Sequence, residues 1–177
     1  MISLVVLFGL LILIFAVIGA TRGWAKELLV TSSVILALFI IDILQFHVKP
    51  FSTALALQPP GTQFLILGGL IILLAFFGYQ TPHIRALQPK LVRERLQDVL
   101  LGIFLGALNG FLIFGSVWYF MHDLNYPTPF VMMPPEGSEL AQQIDSIVAY
   151  LPPELLPIPQ IYFAVGVVFV FIIVVFV

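Results

Sequence analysis

Over most of this chain the apolar positions neither alternate nor return every third or fourth residue; they run unbroken. Five such runs stand out, Ile2 to Gly19, Leu28 to Phe46, Gln63 to Tyr79, Val99 to Met121 and Ile161 to Val177. Each meets the length of about 17 to 25 residues that a helix needs to cross the hydrocarbon core of a bilayer. Transmembrane strands would alternate over about ten residues, whereas Leu10-Leu11-Ile12-Leu13-Ile14 is apolar at every position. The pattern therefore predicts an all-α polytopic bundle of about five membrane helices. Asp42 interrupts the second run, and the short third run carries Gly68-Gly69, which leaves those two open to tilt, a break or partial re-entry. The first run has no Lys or Arg before Arg22 and no small-residue cleavage pattern, so it reads as a retained helix and not as a signal peptide.

Between the runs the chain is short except from His122 to Gln160. There Pro127, Pro129, Pro134-Pro135, Pro152-Pro153, Pro157 and Pro159 punctuate the sequence and stop helices. Between the proline pairs, Leu140, Ile144, Ile147, Val148 and Leu151 recur at helical spacing opposite Glu139, Gln142, Gln143, Asp145 and Ser146. This predicts one short amphipathic surface helix, lying on the membrane or across the bundle. Six of the seven basic residues (Arg22, Lys26, Arg85, Lys90, Arg93 and Arg95) fall in the connections after the first and third runs; Lys49 is the exception. The positive-inside rule places those connections in the cytoplasm. With five crossings, the N-terminus is then outside and the C-terminus inside.

Composition agrees with a membrane class. The chain is 61% hydrophobic and 9% charged, against about 25% charged in a soluble domain. A net charge of -2 supplies no basic field for phosphates, which argues against a nucleic-acid partner. Without cysteine there is no disulfide, thiolate metal site or cysteine nucleophile. His47, His83 and His122 each lie at or beyond a run's end, and no His-Glu-x-x-His, Gly-x-Ser-x-Gly or phosphate-binding Gly-Lys-Ser/Thr pattern occurs. No cofactor, metal or catalytic residue is expected, and the reading is non-enzymatic.

Three groups of residues remain as candidates. Gly102, Gly106 and Gly110 are spaced by four in the fourth run, with Asn109 beside them; such stripped faces let helix backbones approach closely in lipid. The seam would pack against the first or third helix, or against another subunit. Gly19, Arg22, Gly23 and Glu27 form an interfacial motif after the first run with Trp24 and Lys26, in which Arg22 and Lys26 are expected to face headgroups and Glu27 to favour a helix start. Asp42 is the one acid within an apolar run. An intramembrane carboxylate marks a candidate polar site, although Lys49 is near enough in sequence to pair with it.

Two of these segments, Gly19-x-x-Arg22-Gly23-x-x-x-Glu27 and Asp98-x-x-x-Gly102-x-x-x-Gly106-x-x-Asn109-Gly110, together resemble the CvpA family, the colicin V production proteins of bacterial inner membranes. The resemblance covers residues 1–155, which would be a CvpA-like membrane domain of four helices plus the amphipathic helix. Residues 156–177 would add a C-terminal transmembrane helix. The family pattern has arginine where this chain has Val99 and Asn109. The resemblance implies an inner-membrane protein linked to toxin production or export. Together with the apolar runs it points to an accessory, assembly or scaffolding subunit of a secretory or energy-converting membrane complex. Its expected contacts are membrane lipids, other integral membrane subunits and hydrophobic cofactors held by those neighbours. The alternative is a small transporter or channel component, with Asp42, Asn109 and Glu27 along a polar route.

Overall fold

The computed structural model describes residues 3–80, 95–131, 134–135 and 137–176. The basic positions Arg85, Lys90 and Arg93, with His83, Glu136, Ile2 and Val177, lie outside the described residues, as does the side chain of Arg95. Described residues form helices α1 (Leu4–Arg22), α2 (Trp24–Phe46), α3 (Lys49–Ala56), α4 (Pro60–Tyr79), α5 (Arg95–Asp123), α6 (Glu139–Val148), α7 (Pro152–Leu155) and α8 (Gln160–Phe176), with no strand among them. Four of these, α1, α2, α4 and α5, are long and apolar enough to cross a membrane. The run expected as a fifth crossing forms α8, an apolar helix that at 17 residues is shorter than those four.

Local chemistry sets the boundaries. Gly23 alone separates α1 from α2; its N–H donates to the Gly19 carbonyl at 3.0 Å and closes α1, and its φ of 85° turns the chain into α2. A side chain at that angle is strained, so glycine suits the corner. Pro60 opens α4 and Pro50 sits in the first turn of α3, positions where the missing N–H costs nothing. Ser138 caps α6 by accepting from the Ala141 N–H at 3.1 Å. The second and third expected crossings are continuous helices, and Gly68-Gly69 does not break α4. Helix α3, which begins at Lys49, lies in the connection between the second and third runs, where the sequence pattern predicts no helix.

Helix α1 packs antiparallel along α5. Gly19 and Gly23 on one side meet Gly102 and Gly106 on the other, so two small-residue strips close on each other. A Cβ built on Gly19 would lie 2.8 Å from the Gly106 Cα and would collide with the Gly102 carbonyl; one built on Gly110 would lie 2.9 Å from the Phe15 Cβ. The seam is thus filled from within the chain, by the first helix. Helix α4 approaches α2 in the same way, since a Cβ on Gly78 would stand 3.0 Å from the Val30 Cα. The core between these helices contains Val30, Val34, Ile41, Leu67, Ile71 and Ile113. The amphipathic α6 lies across the end of the bundle, its Ile144 and Val148 buried with Trp118 and Met121 of α5. Gly115 admits Pro152 of α7 against α5. Helix α8 rests on α2, with Phe39 and Tyr162 in edge contact at 5.9 Å between ring centroids.

Because backbone meets backbone at Gly106, Gly106→Ala should lower stability by about 1–3 kcal/mol through overpacking, read as a lower melting temperature in detergent. Gly9→Ala, where an added Cβ meets nothing within 4 Å, should leave the melting temperature unchanged or raise it, since Ala favours a helix over Gly.

Candidate functional site

One set of polar side chains from the spanning helices converges at the α1–α2 corner. Glu27, one turn into α2, and Asn109, in the middle of α5, are both 0% exposed. Arg22, the last residue of α1, donates from Nε to Glu27 Oε1 at 2.8 Å. The second carboxylate oxygen accepts from Asn109 Nδ2 at 2.8 Å and from the Tyr79 hydroxyl at 3.3 Å. The other Asn109 amide hydrogen reaches the Glu27 backbone carbonyl at 3.0 Å, and Asn109 Oδ1 accepts from Thr31 at 2.7 Å. The Arg22 guanidinium lies 4.5 Å from the centre of the Tyr79 ring and 3.4 Å from its carbonyl oxygen. Residues from α1, α2, α4 and α5 therefore share one hydrogen-bonded set.

A carboxylate far from water costs several kcal/mol unless a charge and hydrogen bonds replace its hydration. Here a guanidinium supplies the charge and two further donors, Asn109 and Tyr79, the remaining bonds. Both Glu27 oxygens are engaged, so the set acts as a pin between helices. Asp98 extends it along α5: its Oδ1 accepts from the Trp24 N–H at 3.1 Å, placing a negative charge at the start of α2, where the helix dipole favours it. A Cβ on Gly23 would fall 2.9 Å from both Asp98 oxygens, so the same glycine that turns the corner also admits its cap.

Of the sequence candidates, Gly19, Arg22, Gly23, Glu27, Gly102, Gly106, Gly110 and Asn109 thus lie together. Arg22 differs from its expected role: it turns inward to Glu27 and does not point with Lys26 toward headgroups, because the buried carboxylate one turn away attracts it more strongly than water or phosphate. Asp42 stands apart, 15 residues along α2 from Glu27, about 22 Å at 1.5 Å per residue. It forms no ion pair with Lys49, which starts α3 and leaves with it. Asp42 Oδ2 is buried without a hydrogen-bond partner among the described residues. Thr31 and Tyr79 were not singled out from sequence. Thr31 follows Glu27 by four, a spacing that shares a helix face; Tyr79 ends its apolar run with no comparable signal. On the opposite side of the bundle, His122 and the Tyr126 hydroxyl pair at 3.0 Å, and burial pushes the Tyr126 phenol above its ordinary pKa. Among the described residues no three His, Asp or Glu side chains gather as a metal site.

Four long apolar helices, closed by a glycine seam and a buried charge pin, define a multi-pass helical membrane protein. The family model described as colicin V production protein matches residues 4–149, from the start of α1 to just past α6. The chain belongs to that family, the CvpA family; α7 and α8 lie beyond the matched segment. No curated protein and no solved structure matches the chain at a significant level.

Removing the guanidinium while leaving the buried carboxylate should be costly. Arg22→Ala is expected to destabilise by about 3 kcal/mol, toward the low end for a broken buried pair because about a quarter of the Arg22 side chain, 26%, remains accessible. Arg22→Lys should recover only part of the loss, since an ammonium lacks the planar fork that serves the carboxylate, the ring and the carbonyl together. Unfolding followed by tryptophan fluorescence in micelles measures both.

Proposed function

We propose that this protein is a non-enzymatic accessory or assembly subunit that works by helix contact within a larger bacterial inner-membrane complex concerned with export. The observation that supports this most is the allocation of its polar groups. Arg22, Glu27, Thr31, Tyr79 and Asn109 bind one another, and the outer faces of the helices are apolar, with Leu13, Phe104 and Phe163 among the most exposed side chains. The glycine seam is occupied by α1, so a partner subunit would meet the apolar outer faces. Family membership links the chain to colicin V production in general terms. The placement of basic residues in the sequence supports an N-terminus outside and a C-terminus in the cytoplasm.

A small transporter or channel component is the second reading, favoured by the unpartnered Asp42 oxygen. It would require Asp42 to face a hydrated path in an oligomer. Asp42→Asn should then abolish a flux measured in reconstituted vesicles; the accessory reading expects no change.

Mild detergent extraction from native membranes, followed by native gel separation and mass spectrometry, tests the first reading. Co-migration with a defined set of membrane subunits at fixed stoichiometry is expected. Migration of the chain alone or as a homo-oligomer would contradict it.

A further inference from the structure

An apolar groove of about 530 Å³ runs between α2, α4 and α8. Its walls extend from Leu29 to Leu36 on α2 and from Val165 to Ile172 on α8, and Phe77 and Gly78 of α4 line it near the start of α2. The one polar feature of the wall is already satisfied: Ser32 and Ser33 donate to carbonyls of their own helix, at 2.7 and 2.9 Å. Seven residues of helix span about 10 Å, which fits within the roughly 15 Å depth of one leaflet of a core about 30 Å thick. Lys26 precedes Leu29 by three and Ser33 by seven, which puts it on the same face of α2, just beyond the groove's end. It is exposed and makes no ion pair among the described residues.

We infer that this groove holds an acyl chain of an anionic phospholipid, with the Lys26 ammonium at the headgroup phosphate. Charge complementarity selects the occupant: Lys26, the one Lys or Arg on that face of α2, stands where a lipid seated in the groove would place its phosphate. The inference holds whether or not the protein is an accessory subunit, because it concerns only the lipid against which the chain sits.

The full chain, purified in mild detergent and offered phosphatidylglycerol and phosphatidylcholine of equal chain length, tests this by native mass spectrometry. One retained phosphatidylglycerol per chain, in preference to phosphatidylcholine, is expected. Lys26→Gln should reduce the preference about fivefold, the factor carried by one lysine at an anionic surface. Leu36→Trp, at a residue 44% exposed and so tolerant of bulk, should fill the groove and reduce retention of both lipids with the melting temperature unchanged. Equal retention of the two lipids by the native chain would overturn the inference. So would an effect of Lys26→Gln with none of Leu36→Trp, which would mean headgroup attraction without an acyl chain in the groove.

Discussion

A carboxylate taken out of water must be met by a charge and by donors, and in this protein that requirement falls on Glu27. Its two oxygens draw Arg22 from α1, Tyr79 from α4 and Asn109 from α5 to one point on α2. In lipid, apolar side chains alone give helices little reason to choose one neighbour over another, because hydrocarbon solvates them equally well. A buried ionic set specifies the neighbour. The four long helices are thereby given a fixed order around α2 that packing alone would leave degenerate.

The glycines make that convergence geometrically feasible. Arg22 can reach back to Glu27 because α1 and α2 are joined by Gly23 alone, and the corner is held by Asp98 from α5. Asp98 can stand there only because α1 and α5 approach to backbone distance along Gly19, Gly102 and Gly106. Seam, corner and pin are thus parts of one arrangement: bulk in the seam would push α5 away and withdraw both Asp98 from the corner and Asn109 from the carboxylate. The outer parts of the molecule are held differently. Helices α6 and α7 lie on the end of α5 through apolar contacts and Gly115, and α8 leans on α2, leaving beside it the apolar groove beyond whose end Lys26 stands.

Much of this was legible in the sequence because the bilayer simplifies the code. Unbroken apolar runs become helices when no water competes for the backbone, and the spacing of Gly102, Gly106 and Gly110 marks a face without side chains. The partner of that face was harder to read. Gly19 and Gly23 read as parts of an interfacial motif, and only the continuation of α1 as far as Arg22 puts Gly19 on a helix surface facing α5, with Gly23 at the corner beyond it. Arg22 was misdirected for the same reason: spacing along one helix shows which residues share a face and is silent about a carboxylate across a corner. Thr31 and Tyr79 belong to the pin through long-range contacts, and neither residue type is unusual where it stands. The separation of Asp42 from Lys49 depends on α3, whose start at a lysine and a proline has no apolar pattern strong enough to announce a helix.

The account turns on Glu27 being coupled energetically across helices, beyond simply lying among them. A double-mutant cycle of Glu27→Leu and Asn109→Leu, with unfolding free energies measured in the same micelles, tests this most directly. The two substitutions should be strongly non-additive, with a coupling of about 1–3 kcal/mol as for residues in one buried network. Effects that add to within about 0.3 kcal/mol, the behaviour of independent sites, would contradict the claim that this carboxylate binds the helices into one unit.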